Sequence, residues 1–182
     1  ETALGQGSSV KMETQETMKI IAAGNIFTGT FERDGMGGIL TLGRNFECRP
    51  NKLKGYYKYT SAKVSVSKGH LNEGEDDLCS LYIALTDEQI TVNTNKGIYF
   101  DPNSSAVIAY GSISDEESKG ADSFKEFTVD LEYKDLKRIP KYIIVVASSS
   151  KYGDYMEGGK GSTMWLDDLE LVYPKSMEEV RK

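Results

Sequence analysis

Short β-strand patterns dominate this chain, and no stretch of it repeats its apolar residues with the helical period for more than about two turns. Residues 127–133 alternate apolar or aromatic side chains with polar ones, as in a strand buried on one face. Residues 142–147 are apolar at consecutive positions and mostly β-branched, which predicts a central strand buried on both faces. About ten such segments, separated by turn residues, favour a β-sandwich or barrel over an α/β sheet.

The length and charge of the chain limit what it can be. Because typical domains have about 150 residues, the 182 residues predict a single domain over residues 1–182, with a core at about 7–173. There are 22 basic and 28 acidic residues, and the net charge of −6 argues against nucleic acid as a partner. The longest strongly apolar run, 142–147, is far shorter than the roughly 20 residues that cross a bilayer. The chain is therefore not expected to span a membrane.

Several kinds of site are excluded or disfavoured by residue type. The single histidine, His70, rules out a multi-histidine metal site, and its glycine-flanked polar surroundings predict that it is exposed. Cys48 and Cys79 can form at most one disulfide, and the sequence leaves open whether they meet. The segment 158–163 has the composition of a phosphate loop, but Gly follows Lys160 where that motif needs Ser or Thr. Nucleotide binding is therefore disfavoured.

Aromatic residues near polar side chains indicate sugar binding. Aromatic faces stack on the C–H surfaces of sugar rings, and a few polar groups bind the hydroxyls. The chain has 11 tyrosines and one tryptophan. The candidate glycan-binding residues are Arg49, Tyr56, Tyr57, Asp154, Tyr155 and Trp165. For each of the tyrosines taken alone, a half-buried core position with the hydroxyl at the surface is the alternative interpretation.

The carboxylates allow two further interpretations. Asp167 and Asp168 lie on a predicted strand, so their side chains point to opposite faces and do not form a catalytic pair with each other. Either of them would suit a structural calcium ion, which prefers carboxylate and carbonyl oxygens. A glycoside hydrolase needs two carboxyl groups that face each other across the sugar bond. Asp154 and Glu157 are the first candidates for that role.

Three blocks of the sequence resemble one family. They lie at residues 24–31, at 49–59, and at 147–155 together with 158–171. The chain resembles the Putative carbohydrate metabolism domain (PCMD) family, which occurs in secreted and surface proteins of Bacteroidetes. The resemblance runs from about residue 7 to 173. It implies an all-β fold, a jelly-roll β-sandwich similar to galactose-binding-like domains and carbohydrate-binding modules.

The resemblance also implies a place and a role. It points to polysaccharide handling by a secreted, outer-membrane surface or periplasmic protein, with no demonstrated reaction. In related carbohydrate-binding modules a last strand with two consecutive aspartates contributes to a calcium site, which would fall here on Asp167 or Asp168. Family members carry a domain N-terminal to this one. The start at Glu1, without a signal peptide, fits the C-terminal domain of a longer secreted protein.

Three functions stay open at this point. The first is a non-catalytic module that binds an oligosaccharide or polysaccharide. The second is a glycoside hydrolase, and the third is a structural or protein-interaction module that supports a neighbouring domain. Binding is favoured over catalysis because the sequence displays no pair of carboxylates facing one cleft. A structural module predicts aromatic residues that are scattered singly over the surface.

Overall fold

The computed structural model describes residues 2–5, 7–35 and 37–174. The rest of the predicted 1–182 domain, including 175–182, lies outside the described residues. The described strands are β1 (Val10–Glu13), β2 (Gln15–Thr17), β3 (Ile20–Ala22), β4 (Asn25–Phe27), β5 (Gly29–Asp34), β6 (Gly37–Leu42), β7 (Arg44–Asn45), β8 (Lys52–Thr60), β9 (Ser80–Thr86), β10 (Ile90–Asn93), β11 (Val107–Ser112), β12 (Ala121–Asp130), β13 (Glu132–Tyr133), β14 (Tyr142–Ser148) and β15 (Thr163–Val172). The described helices are one α-helical turn, α1 (Asp115–Ser118), and two 3-10 turns, η1 (Thr94–Lys96) and η2 (Gly153–Tyr155).

The strands form three sheets and one small hairpin, and all pairings are antiparallel. Sheet A has the order β1-β15-β8-β12. Sheet B has the order β13-β11-β9-β14-β4, and β7 also pairs with β14. Sheet C has the order β10-β6-β5, and β2 pairs with β3. Sheets A and B pair strands that are distant in sequence, such as β1 with β15, whereas β5 and β6 pair as neighbours.

The main core lies between sheets A and B. Strand β8 shows how the alternation creates it, because Leu53, Tyr57 and Tyr59 are buried while Tyr56 and Lys58 on the opposite face are only partly covered. Sheet B contributes its own alternate positions. The core residues that it supplies include Leu81, Ile83, Leu85, Ile143 and Ala147. Two sheets packed through such alternating faces make a β-sandwich, so the predicted all-β sandwich is confirmed.

Sheet B is covered on its second face as well. A smaller core of Leu42, Ala84, Val92 and Ile144 joins it to sheet C. Strand β14 therefore buries Ile143 against sheet A and Ile144 against sheet C, and it pairs on both edges, with β9 on one side and with β4 and β7 on the other. The prediction of a central strand buried on both faces at 142–147 is confirmed. Sheet C leaves part of this second face uncovered, and the cleft described below lies there.

The two cysteines do not form a disulfide, and the helices are short. Cys79 is buried in the main core, whereas Cys48 is exposed, and both are free thiols. Burial raises the pKa of the Cys79 thiol to about 12, with smaller contributions from nearby charges, so this thiol stays protonated at neutral pH. Among the helices of the described residues, none is both long and apolar enough to cross a membrane.

Candidate functional site

A cleft of about 400 Å³ lies on the face of sheet B that points away from sheet A. Tyr82 on β9 and Tyr110 on β11 form its floor together with Phe100 from the loop before β11. The Tyr82 and Phe100 rings stack with centroids 5.0 Å apart, and the Tyr110 ring lies 6.0 Å from that of Tyr82. We call this site the aromatic cleft. Its aromatic residues are Tyr82, Tyr99, Phe100, Tyr110, Tyr152 and Tyr155.

One wall of the aromatic cleft is a row of stacked rings. The His70 ring stacks on Tyr152 with centroids 4.4 Å apart, and it contacts the Tyr155 ring on its other side at 4.3 Å. Tyr155 in turn stacks on Tyr99 at 3.9 Å. His70 is exposed, as predicted, yet it holds two tyrosines of the wall in place. We call His70, Tyr99, Tyr152 and Tyr155 the aromatic row.

A fully buried carboxylate anchors the loop that carries His70. The Glu157 side chain has no exposed surface and accepts hydrogen bonds from the backbone N–H groups of Lys68, His70 and Leu71 at 2.9, 3.2 and 2.5 Å. The His70 Nδ1 atom lies 3.0 Å from its Oε2 atom. Burial by itself raises the pKa of this carboxyl, but the four hydrogen bonds outweigh it, so the pKa is lowered. Glu157 is thus an ionised, internally satisfied group that shapes the wall.

Asp154 differs from Glu157 because its carboxyl group faces the aromatic cleft. It lies in η2, and burial raises its pKa. Within the described residues no hydrogen bond reaches its side chain, and the nearby Lys151 Nζ is paired with Asp115 at 3.0 Å. A partly buried carboxyl without a donor is costly to the folded protein and is free to accept hydrogen bonds from a ligand.

The missing partner of Asp154 leads to a stability prediction. We expect Asp154→Asn to raise the melting temperature at pH 7, because the folded state no longer holds a charge that it cannot pair. The folded-state pKa of Asp154 is raised, so its unfavourable effect is present above that pKa and disappears as the pH falls through it. The difference in melting temperature between Asp154→Asn and the wild type should therefore become smaller as the pH is lowered from 7 to 4. A variant less stable than the parent at pH 7 would contradict this.

The structure brings only two of the six predicted sugar-binding residues into the aromatic cleft, namely Asp154 and Tyr155. Tyr56 and Trp165 lie on the outer face of sheet A, on the opposite side of the sandwich. There the Lys58 and Lys11 ammonium groups lie 4.7 and 5.8 Å from the centre of the Trp165 ring. Two lysines thus flank the partly buried indole.

Comparison with known proteins assigns the chain to a family. The model of the Putative carbohydrate metabolism domain matches residues 2–172. This chain belongs to the PCMD family. The resemblance carried by the three sequence blocks is thereby confirmed.

Two solved structures share the fold of this PCMD domain. A putative glycoside hydrolase from Bacteroides thetaiotaomicron is 25% identical, with a TM-score of 0.75, and the match covers 94% of this chain and 55% of that one. A putative glycoside hydrolase from Bacteroides vulgatus is 24% identical, with a TM-score of 0.73 and coverages of 94% and 75%. The PCMD domain thus spans about half the length of the first protein. No curated protein sequence matches it significantly.

Two other predicted residues of the PCMD domain have structural roles. Tyr57 is 1% exposed, its ring meets Phe127 edge-on at 6.0 Å, and its hydroxyl donates to the Glu117 carbonyl at 3.0 Å. Its ring faces are covered by protein, so the core interpretation of this tyrosine replaces the sugar-binding one. Arg49 donates through Nη2 to the Arg138 carbonyl, and its guanidinium lies 5.6 Å from the centre of the Tyr133 ring. Neither residue lines the aromatic cleft.

The two predicted calcium ligands lie at an irregularity of β15. The Asp167 Oδ2 and Oδ1 atoms accept hydrogen bonds from the backbone N–H groups of Ala3 and Asp168 at 2.8 and 3.0 Å. Asp168 is exposed and has a φ of +47°, where the register of β15 against β8 shifts. Both Asp167 oxygens already have donors, and no three His, Cys, Asp or Glu residues cluster in the described part as a metal site would require. Calcium binding at Asp167 and Asp168 stays a prediction.

The aromatic cleft contains residues that the sequence did not single out. They are Tyr82, Tyr99, Phe100, Tyr110 and Tyr152. Tyr82 lies in a strand of almost wholly apolar composition, so it resembles a core position. Tyr99 and Phe100 directly precede the turn at Asp101, and two adjacent aromatics before a turn were the available signal.

Proposed function

We propose that this PCMD domain is a glycan-binding module whose ligand lies in the aromatic cleft. The observation that carries the proposal is the unpartnered carboxyl group of Asp154 in a cavity lined by six aromatic rings. Sugar rings present C–H faces to aromatic side chains and hydroxyl donors to carboxylates. The family assignment to carbohydrate metabolism agrees with this chemistry. An oligosaccharide or polysaccharide is therefore the proposed partner.

The arrangement of the rings indicates how such a ligand would be held. The aromatic row offers stacking surface along one wall, and the Tyr82–Phe100 pair offers it on the floor. Asp154 would accept hydrogen bonds from two neighbouring hydroxyl groups. Since the contacts with each sugar unit are few, affinity should be weak for a monosaccharide and should increase with chain length.

A titration with a matched pair of variants tests the proposal. We expect the Tyr99→Ala variant to bind the same oligosaccharides up to about tenfold more weakly than the wild type, because an aromatic stacking contact contributes up to about 1.5 kcal/mol. Tyr56→Ala, on the opposite side of the sandwich, should bind like the wild type. Ligands are identified first on a glycan array and then titrated by calorimetry. Loss of binding in Tyr56→Ala with full binding in Tyr99→Ala would move the site to sheet A.

Glycoside hydrolysis is the second candidate, and the burial of Asp154 favours it. A carboxyl whose pKa is raised can donate a proton to a leaving sugar oxygen. Glu157 does not supply the second carboxyl group, because its side chain is fully buried and faces the loop amides. The other carboxyl group among the cleft residues is that of Asp115, which is exposed and pairs with Lys151. If the domain hydrolyses its ligand, Asp154→Asn should abolish product formation and retain binding.

The third alternative, a structural module, is disfavoured by the gathering of the aromatics into one cavity. A glycan array without any binding, together with an intact fold by circular dichroism, would favour this alternative. The secreted, outer-membrane surface or periplasmic location and the N-terminal neighbouring domain stay predictions. Fractionation of cells that express the full-length protein tests the first of these, and the second needs the sequence that precedes residue 1.

A further inference from the structure

A second, smaller cavity opens next to Asp154, deeper between sheets B and C. Its volume is about 50 Å³. It shares Ser80, Tyr82, Lys151 and Asp154 with the aromatic cleft, so these four residues stand at the boundary between the two spaces. We call it the side pocket. Its lining is mainly apolar, with Phe27, Leu40, Leu42, Val92 and Val146. It also includes Asn25, Ser148 and Ser150, whose side chains donate hydrogen bonds to Ala23, Ser150 and Asp77.

The size of the side pocket limits what can enter it. Because one water molecule needs roughly 10–15 Å³ of such space, the pocket has room for a group of about three or four heavy atoms. A sugar ring does not fit. A short substituent of a ring that lies in the aromatic cleft does fit, and an apolar end suits the aliphatic side chains in the lining, such as Leu42 and Val92.

The polar groups at the boundary define that substituent further. Asp154 accepts hydrogen bonds and has no protein donor among the described residues. The Ser80 hydroxyl lies on the same face of β9 as Tyr82 and makes no hydrogen bond to another described residue. The pocket mouth thus offers one free acceptor and one free donor beside a mainly apolar space. An amide with a terminal methyl group satisfies all three.

On this basis we propose that the aromatic cleft binds glycans containing a 2-acetamido-2-deoxyhexose, with the acetyl methyl group in the side pocket. The acetamido N–H donates to Asp154, and its carbonyl accepts from the Ser80 hydroxyl. This proposal rests on the proposed glycan-binding function of the same cleft and adds the sugar class. A 6-deoxyhexose would fill the pocket with a methyl group but would bring no N–H donor to Asp154. A free amine could donate to Asp154 but would leave the side pocket without the methyl group that fills it.

Matched sugar series test the proposal on the wild-type protein. The probes are oligosaccharides, on an array and in solution, that differ at a single sugar residue. That residue is a 2-acetamido sugar, the parent hexose or the free amine, each in the gluco, galacto and manno series. Fucosylated and rhamnosylated oligosaccharides are included. In at least one series we expect the acetamido sugar to bind about tenfold tighter than the hexose, the usual effect of a small group in a fitted apolar pocket. In saturation-transfer NMR its acetyl methyl protons should receive the strongest saturation.

Two variants of equal size test the position of the acetyl group. Ser80→Leu fills the side pocket and should remove the preference for the acetamido sugar over its parent hexose. Ser112→Leu makes the same change at a residue that lines only the aromatic cleft, and the preference should persist. The readout is the ratio of the affinities for the acetamido sugar and for its parent hexose. A general loss of binding in either variant lowers both affinities and leaves this ratio unchanged.

The outcomes separate this proposal from the one on which it rests. Equal binding of acetamido sugars and hexoses in all three series, weakened in each case by Tyr99→Ala, overturns the acetamido assignment and leaves the glycan-binding cleft standing. Tighter binding of the 6-deoxy sugars overturns it in the same way. If no glycan binds at all, both proposals fail. If Ser80→Leu still prefers the acetamido sugar over the hexose, the side pocket is not the cause of that preference.

Discussion

Replacing Tyr57 by alanine is expected to lower the free energy of unfolding by about 4 kcal/mol, as for other large core aromatics. Tyr56→Ala, one position earlier on the same strand, should cost less than about 1 kcal/mol, because its side chain is only partly covered. Tyr57 is 1% exposed, packs edge-on against Phe127 and donates a hydrogen bond to the Glu117 carbonyl. Alanine would leave a cavity in the main core and remove the hydrogen bond that ties β8 to α1.

Thermal melting and chemical denaturation measure this difference directly. For a domain of this length, about 4 kcal/mol corresponds to a fall in melting temperature of about 8–16 °C. Tyr57→Phe separates the two causes, since it keeps the ring and loses only the hydrogen bond, at about 1 kcal/mol. Equal stabilities of Tyr56→Ala and Tyr57→Ala would contradict the burial pattern of β8 and return Tyr57 to the list of surface aromatics.

The sandwich was predictable because its signal is local and periodic. In β8 the two-residue period places Tyr57 and Tyr56 on opposite faces, and the structure buries the first and leaves the second partly covered. In β14 the continuous apolar run has no polar face, and the structure buries Ile143 and Ile144 on opposite sides. A single strand carries each of these patterns, so no knowledge of its neighbours is needed.

The choice between the faces of β8 was predictable only in part. Alternation shows that Tyr56 and Tyr57 point in opposite directions, but it does not show which direction is the core. Leu53 and Gly55 share the face of Tyr57, and the leucine was the sign that this face is inside. On sequence alone both tyrosines are candidate sugar-stacking residues, and the structure separates them.

The aromatic cleft was not predictable because distant segments build it. Tyr82 and Tyr110 come from two sheet strands, Tyr99 from a loop and Tyr155 from η2. Each ring has an ordinary local explanation as a core or turn aromatic. Only the pairing of β9 with β11, and the way sheet C leaves part of sheet B uncovered, bring them together. Such pairing information is absent from a single sequence.

The role of Glu157 also depends on residues that are distant in the sequence. On sequence, Glu157 is with Asp154 one of the first candidates for a catalytic carboxyl group. The backbone N–H groups that donate hydrogen bonds to it belong to residues 68–71, more than 80 positions away in the chain. A carboxylate that already accepts several hydrogen bonds in a closed space is a structural anchor, and no local pattern distinguishes it from a catalytic one.

Glu157→Ala is accordingly expected to lower the free energy of unfolding by about 4 kcal/mol, because it leaves the N–H groups of the His70 loop without acceptors. It should also reduce glycan affinity by at least about tenfold, since His70 then no longer supports Tyr152 and Tyr155 in the aromatic row. Denaturation and calorimetric titration measure the two effects. His70→Ala is the matched control, because it removes the ring and keeps the backbone hydrogen bonds. It should therefore reduce binding with little loss of stability.

The pH dependence of stability distinguishes this anchor from a catalytic carboxyl group. The hydrogen bonds lower the folded-state pKa of Glu157 below its ordinary value of 4.5, so its contribution is fully present above pH 4.5 and is lost as the pH falls through the lower, folded-state pKa. The gap in stability between the wild type and Glu157→Ala should therefore stay constant from pH 7 to about pH 5 and should narrow in more acidic solution. A catalytic Glu157 would behave differently. Its alanine variant would keep the wild-type stability and glycan affinity and would lose only product formation.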